Sequence, residues 1–409
     1  MYNTDEITEK IILLSVDPDD GQDIDANLDE LEELIKTAGG VVVGRMIQKK
    51  ESVDKATYIG SGKTLELREL VEELGATGVC SDDELSPMQI KNLEELVDTK
   101  IIDRTTVILD IFASRASTRE GKIQIELAQL KYRSSRLVGM RNSLSRLGGG
   151  IGTRGPGEKK LEIDRRIIKE RIAQLQRELE DVKQHREVMR KQRINGSLPV
   201  VAIVGYTNAG KSTLLNHLTL AGVLEEDKLF ATLDPTSRNY TLGNGQEIII
   251  TDTVGFIKKL PHHLINAFRS TLEEAKYADI ILHVVDISNP NADEQIATVY
   301  ETLGRLGIQD KPIITAFNKT DKVDELPVIK DFKADETVYI AAKHEKGLDK
   351  LSAAIEAEVL KSRNYIEKLI PYSDAGIINR IRKSGNILEE DYREDGIYIR
   401  AYADKSIDI

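Results

Sequence analysis

Gly205-Tyr-Thr-Asn-Ala-Gly-Lys-Ser-Thr213 constrains this chain more than any other stretch. An apolar run, Pro199-Val-Val-Ala-Ile-Val204, leads into it, and Leu214-Leu-Asn-His-Leu218 continues it as a helix. A strand, a turn holding Gly205 and Gly210, then Lys211 and Ser212 at a helix start make the phosphate-binding loop pattern. Backbone N–H groups of such a loop point inward and, with the positive end of the helix dipole, cradle phosphates. Lys211 is expected at the β- and γ-phosphates and the Ser212 hydroxyl on Mg²⁺, with Tyr206, Thr207, Asn208, Ala209 and Thr213 completing the loop. The pattern predicts a nucleoside triphosphate and does not choose the base.

The choice of base lies downstream. Pro312-Ile-Ile-Thr-Ala-Phe317 reads as a strand that runs straight into Asn318-Lys-Thr-Asp321. A carboxylate at Asp321 can accept two hydrogen bonds, from the N1–H and the exocyclic amine of guanine. Adenine offers no such pair, so a site built around this carboxylate rejects it. Asn318 is expected to fix the loop and read the other edge of the base. The Lys319 stem covers one face, and Thr320 lies between them. A third strand, Glu247-Ile-Ile-Ile-Thr251, ends in Asp252-Thr-Val-Gly255. There Asp252 is expected to hold Mg²⁺ through water and the Gly255 N–H to touch the γ-phosphate, with Thr253 and Val254 alongside. Three motifs at strand C-termini sit where open α/β sheets bind ligands.

These motifs resemble the G domains of translation-factor-related GTPases. The resemblance implies GTP and GDP as ligands and Lys211, Thr232 and Gly255 as the catalytic set. Thr232, in Phe230-Ala231-Thr232-Leu233-Asp234-Pro235, matches the switch threonine that completes Mg²⁺ coordination; Thr236 competes for that role. Ala341-Ala342-Lys343 matches a base-contacting loop that usually begins with Ser, so here only backbone contacts are implied at its first position. Ras-like proteins keep a water-orienting glutamine after Asp-x-x-Gly, where this chain has Phe256. The expectation is slow hydrolysis alone, completed by a partner. Asn208 matches an asparagine that, in related GTPases, helps hold K⁺ beside the phosphates; a loop-stiffening hydrogen bond is the alternative.

Outside this region the charge is segregated. The chain carries −12 overall, yet between Lys131 and Asn195 there are 18 Lys and Arg against 8 Asp and Glu, leaving −22 for the rest. Such a pattern predicts a cationic arm on an acidic body. Ile123, Leu127, Leu130 and Leu137 fall at heptad-like spacing, as do Leu161, Ile168, Ile172, Leu175, Leu179, Val182 and Met189. Two such stripes predict an antiparallel helical hairpin. Its second helix, some thirty residues long, would span roughly 50 Å. The joining stretch, Arg141 to Glu158, holds Arg141, Arg146 and Arg154 among six glycines, which suits close approach to RNA phosphates; a flexible linker is the alternative. One cysteine, Cys80, excludes an internal disulfide, and the cytoplasm is the expected location. No apolar run reaches the roughly eighteen residues of a membrane span.

Asp110-Ile-Phe-Ala-Ser-Arg-Ala-Ser-Thr-Arg-Glu-Gly-Lys-Ile-Gln-Ile-Glu-Leu-Ala-Gln-Leu130, Leu147-Gly-Gly-Gly-Ile-Gly-Thr-Arg-Gly-Pro-Gly-Glu158 and Asp164-Arg-Arg166 closely resemble the HflX family of ribosome-associated GTPases. The resemblance covers nearly the whole chain. It implies binding to the large ribosomal subunit, through ribosomal RNA and protein, and separation of stalled or idle ribosomes into subunits. In that picture the glycine-rich tip reaches towards the peptidyl-transferase region.

The expected fold class is α/β: a phosphate-loop G domain, an N-terminal α/β domain with a long antiparallel helical hairpin, and a small C-terminal α/β domain. The expected boundaries are 1–111, 112–196, 197–362 and 363–409, in a monomer. Ile11–Val16, Val41–Arg45, Gly78–Cys80 and Thr106–Asp110 read as strands of the first domain, and Leu28–Thr37 and Thr64–Leu74 as helices. Gly60-Ser-Gly-Lys-Thr64 imitates the end of a second phosphate loop, but Thr57 replaces its first glycine, and a structural turn is the favoured reading. Two rival functions remain open: a non-ribosomal regulatory switch, and an ATP-using RNA remodelling factor acting through the N-terminal domain.

Overall fold

The computed structural model describes residues 8–21, 23–144, 156–194, 198–219, 229–230, 235–259, 274–308 and 310–403. The chain is α/β and divides into two compact units: Met1–Asp181 with Lys259–Ala267, and Val182–Lys258 with Phe268–Ile409.

The first unit is built on four parallel strands, β1 (Lys10–Asp17), β2 (Val41–Lys49), β3 (Gly78–Ser81) and β4 (Lys100–Asp103), in the order β2-β1-β3-β4. Ile11, Ile12, Leu13 and Leu14 are all buried, the continuous apolar run expected of a parallel strand covered on both faces. Helices α1 (Ile24–Thr37), α2 (Ser61–Leu74), α3 (Pro87–Val97) and α4 (Arg104–Arg115) provide that cover. Helix α3 starts on a capping box: Ser86 accepts from Gln89 N, the Gln89 side chain accepts from Ser86 N, and Pro87 occupies the first turn.

One expected strand is corrected. Thr106–Asp110 lies inside α4, and the fourth strand is Lys100–Asp103. The cause is Asp103, whose Oδ1 accepts from Thr106 N at 3.0 Å and Thr106 Oγ1 at 2.8 Å, capping the helix and stopping the strand. Its other oxygen accepts from Tyr132 Oη and, at 2.6 Å, from Arg136 Nη2. Both belong to α5 (Arg119–Leu144), so a fully buried carboxylate bolts the middle of this long helix to the sheet. Arg104 is likewise structural, bridging Asp82 and Glu30. Helix α6 (Pro156–Ile194) has 39 residues, longer than expected. Arg171 grips Glu126 with two bonds of 2.8 and 3.0 Å. Along the sequence the two residues lie at comparable separations from the stretch joining the helices, as an antiparallel pair requires. Leu127 and Leu175 are buried in its seam, whereas Ile163 and Ile167, off the predicted stripe, are more than half exposed.

The second unit holds a six-stranded sheet, order β10-β9-β8-β5-β7-β6. Its strands are β5 (Val200–Gly205), β6 (Thr236–Thr241), β7 (Glu247–Asp252), β8 (Ile280–Asp286), β9 (Ile313–Asn318) and β10 (Glu336–Tyr339). All pairings are parallel except β6 with β7, so β5, β7, β8 and β9 end on the same edge. Helices α7 (Lys211–Thr219) and α8 (Ala292–Arg305) connect β5 to β6 and β8 to β9, and α9 (Leu348–Lys361) follows β10. Ile203, Leu214, Ile250, Leu282, Ile314 and Leu351 form one core cluster, each fully buried. Truncating any of them to Ala is expected to cost about 2–5 kcal/mol. On the α8 side, the Asp331 carboxylate accepts from Tyr300 Oη and Thr315 Oγ1, both at 2.7 Å. Burial pushes its pKa up, but bonds from His283, Thr315 and Tyr300 prevail and hold it at about 2.

The chain ends in a three-stranded antiparallel sheet, β11 (Asn364–Ile370), β12 (Asn386–Arg393) and β13 (Gly396–Ala403), in the order β11-β13-β12. Helix α10 (Gly376–Ser384) packs on it through Ile378 and Ile381.

Candidate functional site

The strand ends of β5, β7, β8 and β9 bring the predicted motifs together. In register, Ile203 faces Asp252, Gly205 faces Val284, and Asp286 faces Asn318. Two glycines of the loop are sterically obligatory. A Cβ on Gly205, at φ +155°, would lie 2.3 Å from Val284 O; one on Gly210, at φ +96°, would lie 2.3 Å from Asn318 Nδ2. The loop therefore packs directly on the neighbouring strand ends. Asn208 takes a left-handed conformation, φ +60°. The motif has no room to be anything but this turn.

Lys211 opens α7 and is 6% exposed, with Nζ donating to Tyr206 O at 2.7 Å. Burial lowers its pKa to about 8, against the opposing pull of Asp252. A buried ammonium in a glycine-lined turn is a group awaiting an anion. Ser212 Oγ donates to Asp252 Oδ2 at 2.9 Å, and Asp252 is fully buried. This hydroxyl and carboxylate form an oxygen-only donor pair suited to a hard cation, and they fit Mg²⁺. Ser212 would bind it directly and Asp252 through water, and the ion would neutralise phosphate charge. Thr253 is buried, and its Oγ1 donates to Ile203 O at 2.7 Å, bracing β7 against β5. Val254 is buried beside it, and Thr213 is half-buried in α7.

The Asp-x-x-Gly segment is stitched to the phosphate loop. Thr207 N donates to Phe256 O at 2.8 Å, Phe256 N donates to Gly205 O at 3.0 Å, and Lys258 N donates to Tyr206 Oη at 2.8 Å. A Cβ on Gly255 would come within 2.9 Å of both Lys211 Nζ and Thr207 Cγ2. Gly255 can thus bring its backbone close to whatever Lys211 holds. Phe256 is 1% exposed, its ring packed into the protein.

At the base-reading end, Asn318 spends both ends of its amide on the loops. Nδ2 donates to Ala209 O at 2.8 Å, and Oδ1 accepts from Ala342 N at 3.0 Å. It fixes the loop, as expected, and this occupies the groups expected to read the base. Lys319, at φ +65°, donates to Asn208 O at 2.7 Å and pairs with Asp286 Oδ2 at 2.6 Å. Thr320 Oγ1 donates to Ile340 O at 3.0 Å. Among the described residues, the Asp321 carboxylate makes an ion-pair contact with His344 Nε2 at 3.4 Å and no shorter one, which leaves it available to a ligand. Ala341 and Ala342 are buried and act through their backbone, while Lys343 is exposed. Sequence reasoning missed Asp286 and His344. Asp286 ends a strand opposite Asn318, and that register was its only available signal.

Of the remaining predicted positions, Phe230 is buried at φ +56°. Ala231, Thr232, Leu233 and Asp234 lie outside the described residues, as do Arg146 and Arg154; Arg141 falls within α5. Thr236, the competitor of Thr232, opens β6 directly opposite Asp252.

Three family models match the chain: a GTP-binding GTPase N-terminal region over residues 25–113, a GTP-binding GTPase middle region over 115–193, and a 50S ribosome-binding GTPase over 200–319. A GTP-binding protein from the archaeon Sulfolobus solfataricus, solved with GDP, aligns over 87% of this chain and 99% of its own, at 25% identity and TM-score 0.44. The GTPase HflX of Escherichia coli is 38% identical over 97% of this chain and 93% of its own length. That of Lacrimispora saccharolytica is 61% identical over 97% of this chain and 94% of its own. Identity at that level over almost the full length, with a guanine-nucleotide site assembled on one sheet edge, makes the chain a GTPase that belongs to the HflX family.

Proposed function

We propose that this GTPase binds the large ribosomal subunit and uses GTP to split stalled or hibernating ribosomes into subunits. One observation carries the reading: α5, held to the first unit's sheet by Asp103, and α6, tied to α5 through Arg171 and Glu126, lead into and out of the cationic glycine-rich stretch around Arg141, Arg146 and Arg154. A pair of helices held in this way can present that charge to folded RNA, and the three arginines are assigned to ribosomal RNA. The match of residues 200–319 to a model described as a 50S ribosome-binding GTPase supports the same partner.

GTP orders Thr232 and Gly255 and so stabilises the docking form; hydrolysis loosens them and permits release. Lys211 neutralises phosphate charge while water attacks in line. Phe256 is apolar and turned inward, so turnover in the free protein is slow, and the ribosome completes the arrangement. Mg²⁺ is assigned to Ser212, Asp252 and Thr232, and K⁺ to the Asn208 side of the phosphates. The working parts follow the boundaries 1–111, 112–196, 197–362 and 363–409, in a cytoplasmic monomer. Among the described residues no helix is long and apolar enough to cross a membrane.

Sedimentation tests this directly. With a non-hydrolysable GTP analogue the chain should co-migrate with purified large subunits, and with GDP it should not. Failure to co-migrate in either state would favour a non-ribosomal regulatory switch.

A further inference from the structure

The hydrolysis site contains a buried hydroxyl that none of the described residues engages. Thr207 is 6% exposed, and its Oγ1 is closed to solvent and has no hydrogen-bond partner among the described residues. Burying an unpaired hydroxyl is costly, and valine would fill the same volume without that cost. Its surroundings indicate what the hydroxyl serves. Thr207 N is pinned to Phe256 O, so the residue is held at the junction of the phosphate loop and the Asp-x-x-Gly segment. Thr207 Cγ2 and Lys211 Nζ both come within 2.9 Å of one point, the position a Cβ on Gly255 would occupy. A γ-phosphate reached by Lys211 and by the Gly255 N–H must lie beside this side chain. Phe256, at the position where Ras-like proteins keep their water-orienting glutamine, has no polar side-chain group and is packed inward.

We propose that the Thr207 hydroxyl is a further catalytic group. With GTP bound, a turn about its χ1 lets Oγ1 donate to a γ-phosphate oxygen and accept from the attacking water, holding the two in line. A hydroxyl can do both at once. The water oxygen bonds to the γ-phosphorus, and the bond from that phosphorus to the bridging oxygen breaks, its electron pair leaving with GDP. One water proton stays on the released phosphate and the other passes to solvent. Thr207 keeps its own proton throughout. GDP lacks the γ-phosphate, so the hydroxyl distinguishes the substrate from the product.

The test uses the full chain carrying Thr207→Val, which removes the hydroxyl and keeps the shape, beside Thr207→Ser, which keeps the hydroxyl. Affinities for GDP and for the slowly hydrolysed analogue GTPγS are measured by fluorescence, and GTP hydrolysis by single turnover. Thr207→Val should bind GDP within about twofold of the wild type, bind GTPγS several-fold more weakly, and hydrolyse GTP at least about tenfold more slowly. Thr207→Ser should restore both GTP-dependent quantities to within about threefold. Wild-type hydrolysis by the valine variant would overturn the proposal. So would an equal loss of GDP and GTPγS affinity, or a slow valine variant that serine fails to rescue, since either would assign Thr207 to building the loop.

Discussion

Gly60-Ser-Gly-Lys-Thr64 and Gly205-Tyr-Thr-Asn-Ala-Gly-Lys-Ser212 both lead into a helix, α2 in one unit and α7 in the other. Both place a lysine after a glycine at the helix start, yet their surroundings differ at every point that matters for an anion. Lys211 is buried and aimed at the loop carbonyl of Tyr206; Lys63 is half-buried and pairs with Glu66 at 2.5 Å. Gly210 is crowded against Asn318, whereas a Cβ on Gly62 would meet nothing within 4 Å. The amide of Gly60 is already taken by Gln48 Oε1 at 2.8 Å. A phosphate loop is therefore made by neighbouring strand ends as much as by its own residues. In the second unit β7 supplies Asp252 and β9 supplies Asn318.

The sharpest way to break this comparison is to remove each lysine. Lys211→Ala should weaken GDP and GTP binding by at least about a hundredfold, since it deletes a buried charge-assisted contact. Lys63→Ala should leave guanine-nucleotide binding unchanged. Titration with a fluorescent GDP measures both, and comparable losses would dissolve the distinction.

Next in size is the pH dependence. Burial lowers the Lys211 pKa to about 8 in the free protein. A bound polyphosphate raises it, so binding takes up a proton above that pH. Affinity for GDP should hold steady below about pH 8 and then fall by up to about tenfold per pH unit as the free ammonium is lost. The Lys63→Ala variant should give the same profile. A flat response from pH 7 to 9.5 would place the Lys211 charge outside the binding step.

The smallest contrast concerns the glycines. Gly210→Ala forces a Cβ against Asn318 at a left-handed φ and should cost about 1–3 kcal/mol of stability, with weaker nucleotide binding. Gly62→Ala, inside α2 with open space around it, should stabilise by up to about 1 kcal/mol. Paired thermal melts report the difference, and equal effects would contradict the packing argument.

The clustering of the candidate site's motifs was legible in the sequence because they sit at fixed spacing on strand ends whose apolar runs are continuous. Gly205, Lys211, Asp252 and Asn318 meet where those spacings put them. What escaped depended on partners distant in sequence. Asp286 pairs with Lys319 across a strand register. Asp103 holds the middle of α5 through Tyr132 and Arg136, about thirty residues on. Thr106–Asp110 misled because a short, β-branched apolar run fits a buried helix as well as a strand. The deciding residue was the cap just before it. The inward turn of Phe256 and the Thr207 hydroxyl, unpaired among the described residues, likewise emerge only from the fold.

The most direct trial of the whole account is GTP turnover with and without purified large ribosomal subunits, for the wild-type chain and for a variant carrying Arg141→Glu, Arg146→Glu and Arg154→Glu. The subunits should accelerate the wild type by on the order of tenfold or more, and the variant should keep its basal rate while losing that acceleration. A wild type indifferent to the large subunit, or a variant stimulated as fully as the wild type, would contradict it.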